Sequence, residues 1–286
     1  MRALVIGADG LVGAALASEL RKRKGEVIGT TRRDVNVTTG TVVLDLAEPN
    51  FDGLPSVDVV FICAAMTRFA ECRAFPPLAR RVNSETPGAL TAHFTSRGAR
   101  VVFLSTSAVF DCKEPSMSSS RRRDGVSLYG RYKAEAEERV LACGQLAMVV
   151  RLTKIVAQQQ GLFQGWIESL RAGHSIQAFC DHRIAPITLA QCVDAIATIG
   201  VRGDEGIYQV SGSADVSYYD VACHFAARLD AKAGLVHSCA ASERGIPLEE
   251  VLPFTSLDAS RISALSGFVP PEPYNVLDET FFSDLD

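Results

Sequence analysis

Arg2-Ala3-Leu4-Val5-Ile6-Gly7-Ala8-Asp9-Gly10-Leu11-Val12-Gly13 decides the fold. An apolar run over 3–6 has the length of a strand, and glycines follow it at once. From Leu11 onward apolar residues recur at helical spacing (Leu11, Ala14, Ala15, Leu16, Leu20), which predicts a helix over 11–23. Strand, glycine turn and helix together make the phosphate end of a dinucleotide-binding βαβ unit. Gly7 permits the tight turn, Gly10 lets backbone approach a pyrophosphate, and Gly13 lets the helix pack close. The pyrophosphate then meets free N–H groups at the positive end of the helix, with Asp9, Leu11 and Val12 as its neighbours in the turn. The spacing is Gly-x-x-Gly-x-x-Gly rather than the commoner Gly-x-Gly-x-x-Gly. Its place after a strand and before a helix therefore carries the reading, against the plain alternative of an ordinary strand-to-helix turn.

Residues 26–30 read as a second strand. In an NAD site an acidic side chain closes this strand, about 20 residues past the glycines, and holds the ribose 2′-hydroxyl. Here the chain reads Thr30-Thr31-Arg32-Arg33. A small hydroxyl side chain followed by arginine accommodates a 2′-phosphate and pairs with it, whereas an acid repels it. The stretch favours NADP(H) over NAD(H), with Thr31, Arg32 and Arg33 as contacts. Asp34 keeps NAD(H) open, and solvated loop charges are the bland reading of the two arginines.

Residues 42–46 form a short third strand and 57–63 a fourth, nearly continuous in apolar side chains, as in a parallel strand buried on both faces. The fourth ends in Cys63-Ala64-Ala65-Met66-Thr67, small residues that leave room for a ligand at the carboxyl end. A helix over 78–96 and a fifth strand over 100–105 follow. The alternation predicts an α/β doubly wound parallel sheet.

A chain of 286 residues with 47% hydrophobic side chains is one large or two modest domains with a sizeable core. No run approaches the ~20 apolar residues of a membrane span, and the N-terminus lacks a signal-peptide layout, so a cytoplasmic protein is expected. The net charge of −4 gives no reason to expect nucleic acid or an anionic membrane as a partner. Eight scattered cysteines without a Cys-x-x-Cys pair, and five dispersed histidines, argue for free thiols and against a metal site.

The fifth strand runs into Ser105-Thr106-Ser107-Ala108-Val109-Phe110-Asp111. After a polar stretch with Arg121-Arg122-Arg123 comes a helical segment over 127–142 that contains Tyr129-Gly130-Arg131-Tyr132-Lys133. Tyr129 and Lys133 stand at i and i+4 and share one helix face. Tyr-x-x-x-Lys alone is common. Joined to an N-terminal glycine turn and a hydroxyl cluster at the end of strand five, it is much rarer.

With these motifs the chain resembles the extended short-chain dehydrogenase/reductases, and within them the dTDP-4-dehydrorhamnose reductases. Val150-Arg151-Leu152, Asp181-His182-Arg183-Ile184-Ala185-Pro186-Ile187-Thr188 and Ser256-Leu257-Asp258 extend the likeness over most of the chain. The resemblance implies a Rossmann-type domain over 1–152 and a smaller C-terminal substrate-binding lobe over 153–286, with segments near 175–178 and 206–210 as candidates to return to the main sheet. It implies that Tyr129 donates a proton to a carbonyl oxygen as hydride arrives from the nicotinamide. An unperturbed tyrosine has a pKa of ~10, so Lys133 supplies the cation that lowers it and also holds the nicotinamide ribose. Thr106 orients the carbonyl, with Ser105 and Ser107 as neighbours open to the same role. Asp45 and Leu46 match adenine contacts, Ala64, Ala65 and Met66 flank the cofactor backbone, and Asn83 matches a helix asparagine of the family. A homodimer is implied as well.

Departures from the family pattern fall on the substrate side. Dehydratases of this superfamily carry acidic residues after the catalytic threonine, where this chain has Ser107 and Ala108. The Asp-Gln-x-Gly-x-Pro-Thr stretch of the reductases is Asp181-His182-Arg183-Ile184-Ala185-Pro186-Ile187, and Leu162 stands where an asparagine precedes the phenylalanine matching Phe163. Thr67, Thr106, Ser107, Arg121 and Arg183 are the candidate substrate contacts. Arg121, in a loop between Thr106 and Tyr129, suits the diphosphate of a nucleotide sugar or is a solvated charge. Trp166 reads as core, and nothing beside Cys112 activates its thiol. The expected activity is NADPH-dependent reduction of a nucleotide-linked 4-keto sugar. An epimerase of the same superfamily is the first alternative, and a non-catalytic NADP-binding regulatory protein is the second.

Overall fold

Seven parallel strands form the central sheet of the computed structural model, which describes residues 1–32, 41–158 and 161–283. In chain order its elements begin β1 (Arg2–Ile6), α1 (Leu11–Lys22), β2 (Glu26–Thr31), β3 (Thr41–Val43), β4 (Val59–Ile62), α2 (Phe69–Ala74), α3 (Pro76–Arg80) and α4 (Thr86–Thr95). They continue with β5 (Arg100–Thr106), α5 (Leu128–Leu141), β6 (Ala147–Leu152), β7 (Lys154–Val156), α6 (Gly161–Arg171), β8 (Ile176–Phe179), β9 (Arg183–Ile184), β10 (Pro186–Thr188), α7 (Leu189–Arg202) and β11 (Gly206–Val210). The chain closes with β12 (Val216–Ser217), α8 (Tyr218–Arg228), β13 (Val236–Cys239), α9 (Ser260–Ser266) and α10 (Pro273–Phe281).

The sheet order is β11-β6-β5-β4-β1-β2-β3. Alternate residues of each buried strand feed different cores, which is why these strands read as continuous apolar runs. Ala3 and Val5 join the layer of α1 and α7, while Leu4 and Ile6 face the layer of α4 and α5. Strand order reverses between β1 and β4, so the ligand crevice lies outside their carboxyl ends.

The helix expected over 78–96 is interrupted. α3 and α4 flank a π-helical turn at Arg81–Glu85. Pro87 has no N–H for the carbonyl four residues back, that of Asn83, and the helical ladder changes pitch there. The third strand stops at Val43 because Ala47 N–H folds back onto the Asp45 carboxylate at 2.8 Å.

The remaining strands make small pairs, β7 with β10, β9 with β12 and β8 with β13, over a separate core of Phe163, Trp166, Ile167, Val221 and Phe225. The segment near 175–178 therefore does not return to the main sheet. Its strand β8 pairs with β13, Ile176 opposite Val236. The segment at 206–210, as β11, is an edge strand of the main sheet beside β6. Arg73 of α2 and the buried Glu250 form an ion pair between distant parts of the chain, and Phe254 N–H bonds the Cys112 carbonyl at 3.0 Å. Among the described residues no helix is long and apolar enough to cross a membrane.

Candidate active site

Ser127 caps α5 by accepting the Gly130 N–H at 3.1 Å. Gly130 lies so close to the turn after β5 that a Cβ there would come within 2.0 Å of the Ala108 carbonyl oxygen. This approach sets Tyr129 against the end of β5. Of the three hydroxyls there, Ser105 is buried and donates to Glu137 at 2.6 Å. Ser107 is buried in the short 3₁₀ turn that follows. Thr106 is half-buried, and its hydroxyl faces the Tyr129 phenol. The phenol ring packs on Phe69, 5.5 Å between centres.

Removal from water pushes the Tyr129 phenol well above the usual tyrosine range, and the neighbouring Thr106 hydroxyl opposes that rise. The group is therefore held protonated, as a proton donor must be. Lys133, one turn on, is buried over the Phe103 ring at 3.8 Å and donates to the Leu104 carbonyl. Burial brings its ammonium down to about 7, while Glu137 and Cys63 oppose the fall. The same burial pushes the Cys63 thiol up to about 12, and Cys112 likewise, so neither is an activated thiol. Lys133 is not among the groups that shift the Tyr129 phenol, but a phenol kept protonated beside a hydroxyl can bind a carbonyl oxygen and give it a proton.

The glycine turn fits a dinucleotide. Gly7 has φ +84, and a Cβ on it would meet Ala64 at 2.8 Å. A Cβ on Gly13 would lie 2.1 Å from the Gly7 carbonyl oxygen, so helix and turn are packed backbone to backbone. Gly10 is exposed, opens α1 without a side-chain cap, and a Cβ there meets only the Gly7 oxygen at 3.4 Å. The N–H groups of Leu11, Val12 and Gly13 precede the first intrahelical bond, which runs from Ala14 N–H to the Gly10 carbonyl at 2.8 Å. They form an anion cradle at a helix N-terminus.

Other expected residues fall in varied places. Thr31 is buried and its hydroxyl donates to Asp9 at 3.1 Å, so it is tied to the glycine turn. Arg32 is exposed at the end of β2, and Arg33 and Asp34 lie outside the described residues. Asp45 is exposed and Leu46 buried, with the Leu46 carbonyl held by Thr86 at 2.8 Å. Ala64, Ala65 and Met66 are half-buried at the carboxyl end of β4, and Thr67 is exposed beyond them. Asn83 is fully buried, and its amide brackets the main chain of Met66, accepting from N–H and donating to C=O at 2.8 Å each. It positions the loop after β4. Arg121 is paired with Asp111 and Glu114, both at 2.8 Å. Arg183 is half-buried with its guanidinium 5.4 Å from the Phe254 ring centre.

Several residues around the site were missed from sequence. Glu137 and Arg151 form a fully buried ion pair at 2.7 Å behind Ser105 and Lys133. Glu137 stands one turn past Lys133 on the same helix face, and Arg151 is a charge inside the apolar strand Ala147–Leu152, the kind of interruption that signals a buried partner. Phe69, Arg73 and Lys154 carried no such signal.

The pattern of the family described as "RmlD substrate binding domain" matches residues 1–282. A dTDP-4-dehydrorhamnose reductase of Mycolicibacterium smegmatis is 26% identical over 274 residues, 94% of this chain and 81% of its own. The crystal structure of a dTDP-4-dehydrorhamnose reductase from Clostridium acetobutylicum superposes with a TM-score of 0.82 at 23% identity, covering 100% of this chain and 99% of that one. One from Bacillus anthracis, in complex with NADP, superposes with a TM-score of 0.80 at 18% identity, covering 98% of both chains.

Proposed function

The chain belongs to the RmlD substrate-binding domain family, and from that premise we propose that it reduces a nucleotide-linked 4-keto sugar, with NADPH as the preferred donor. Sugar-nucleotide reductases are among its relatives, as are beta subunits of methionine adenosyltransferase 2, and it is an oxidoreductase of the extended short-chain dehydrogenase/reductase type. The observation that carries the reading is the facing pair of hydroxyls, Thr106 and Tyr129, at the carboxyl end of the sheet, with Lys133 one turn away.

The residues fit a nicotinamide dinucleotide, whose reduced ring supplies a hydride to the keto carbon when bound. The first turn of α1 would hold its phosphates by main-chain N–H groups, and Ala64, Ala65 and Met66 would line its path. Arg32, exposed at the end of β2, supports the choice of NADPH, since a guanidinium pairs with a 2′-phosphate. Thr106 and Tyr129 would grip the keto oxygen between two hydroxyls. As negative charge grows on that oxygen, Tyr129 would release its proton to it. Lys133, buried beside the site, would stabilise the phenolate left behind.

The test is NADPH oxidation, followed by loss of absorbance, with dTDP-4-keto-6-deoxyglucose as substrate and Tyr129→Phe as the control. Turnover that falls by about a hundredfold or more in the variant supports the reading. Tight NADPH binding without turnover of this or related keto sugars turns it toward an epimerase or a non-catalytic binding protein.

A further inference from the structure

Leu152 is the Cα partner of Thr106 across the sheet, and Lys154 lies two residues beyond it at the start of β7. Lys154 therefore follows directly on the strand end that lies beside Thr106, where the chain leaves the main sheet to pair with β10. The Lys154 side chain is half-buried, and among the described residues no carboxylate or other acceptor pairs with its ammonium. An enclosed ammonium without a counter-ion is costly, and burial accordingly pushes Lys154 below the usual lysine range.

Its surroundings are aromatic. The ammonium lies 6.0 Å from the Phe163 ring centre, and Phe163 packs on Trp166 and on Tyr218 at 5.7 and 5.9 Å. Tyr218 in turn packs on His182 at 5.4 Å. Burial brings His182 down to about 4, opposed by the Asp181 carboxylate and helped by the Lys154 charge, and burial pushes the Tyr218 phenol up to about 12. Both are neutral near pH 7. Asp181, next to His182 in sequence, is engaged by the Ala241 N–H at 2.9 Å. One cation, two neutral polar groups and an apolar wall therefore meet beyond the end of β6, the strand that pairs with β5.

We propose that Lys154 anchors an anionic group of the substrate, either a carboxylate on the sugar or the pyrophosphate joining sugar to nucleotide, with His182 and Tyr218 as neutral hydrogen-bonding neighbours. The proposal rests on the reductase reading for what the site binds. It makes Lys154 a determinant of specificity, because a neutral group in its place leaves the ammonium uncompensated.

Calorimetric titration of the full chain, with NADP present, tests it. The probes are inorganic pyrophosphate, glucuronate and, as the neutral control, glucose. The proteins are wild type, Lys154→Met and Lys154→Arg, each first shown to be folded by its urea midpoint. Binding of pyrophosphate that weakens about ten- to hundred-fold in Lys154→Met and persists in Lys154→Arg identifies the pyrophosphate source. The same pattern with glucuronate, and no binding of glucose, identifies a sugar carboxylate. Failure of both anions to bind wild type, or equal binding to wild type and Lys154→Met, overturns the proposal. Because none of these titrations depends on turnover, failure of the reductase reading shows separately, as absent NADPH oxidation.

Discussion

Glu137 takes three hydrogen bonds from Arg151, Nε to Oε1 at 2.9 Å and to Oε2 at 3.2 Å and Nη2 to Oε2 at 2.7 Å, and neither side chain reaches solvent. Ser105 donates to the same carboxylate, and Arg123 approaches it at 3.8 Å. The remaining guanidinium arm of Arg151 donates to the Ser119 carbonyl and to Gln209 Oε1, both at 3.2 Å. Gln209 donates onward to the Met117 and Asp258 carbonyls at 2.9 and 3.0 Å. The pair thus ties the strand that presents Thr106 to the helix that presents Tyr129 and to the loop between them.

A buried pair of this kind is strongly destabilised when one partner is lost, because the other charge is stranded, while replacing both by apolar side chains is nearly neutral. Glu137→Leu is expected to cost about 3–5 kcal/mol in urea denaturation, and the double variant Glu137→Leu with Arg151→Met to recover most of that loss. Equal instability of single and double variants would show that the stranded charge is not the cause.

Lys133 makes stability depend on pH. Its ordinary pKa is ~10.4, and burial brings the folded value to about 7. Between those values the unfolded chain holds a proton that the folded chain has released, so this group's contribution to stability rises with pH. Above about pH 9 the opposite sign sets in from Cys63 and Cys112, whose folded values near 12 keep protons that the unfolded thiols lose. Comparing wild type with Lys133→Met isolates the lysine. The stability of wild type relative to the variant is expected to grow from pH 7 to pH 9 in urea titrations without cofactor, and a flat difference would contradict the burial of a charged amine.

The hydroxyls at the end of β5 have separate jobs. Thr106 reaches Tyr129, whereas Ser105 is spent on Glu137. Thr106→Val is expected to lower kcat/KM about a hundredfold, the usual loss for one donor to a developing oxyanion, with stability little changed. Ser105→Ala is expected to lower stability by about 1–3 kcal/mol, the worth of a hydrogen bond to a charged group, with kcat/KM nearly kept. Steady-state kinetics and denaturation of the two variants together would expose an exchange of these roles.

The sheet was legible because strands such as β4 and β5 are apolar on both faces and are punctuated by turn residues, a local signal. Tyr129 and Lys133 were legible because one helix turn fixes their relation. Thr106 could not be told from its serine neighbours until Glu137, 32 residues from Ser105, claimed one of them. Gln209 lies 58 residues from Arg151, and His182 meets Tyr218 only in the folded lobe. Such partners are chosen by packing, which no periodicity records. The break in the helix at Arg81–Glu85 was written in Pro87, and its consequence, an Asn83 amide turned onto Met66, needed the fold to be seen.

Gly10 and Gly13 lie in one turn, yet their substitution should separate binding from folding. Gly10 has φ −83 and ψ 164, which alanine adopts freely, and an added Cβ meets only the Gly7 oxygen at 3.4 Å. Gly10→Ala is expected to change stability by no more than about 1 kcal/mol. The new methyl would stand over the free N–H groups of α1, where a phosphate has to approach, so NADPH binding should weaken at least about tenfold in a fluorescence titration. Gly13 has no such freedom, since its Cβ would lie 2.1 Å from the Gly7 oxygen and 2.8 Å from the Gly7 carbonyl carbon. Gly13→Ala must push helix and turn apart, and is expected to lose about 1–3 kcal/mol of stability together with binding. Unchanged NADPH affinity in Gly10→Ala would mean that the phosphates do not rest on this turn.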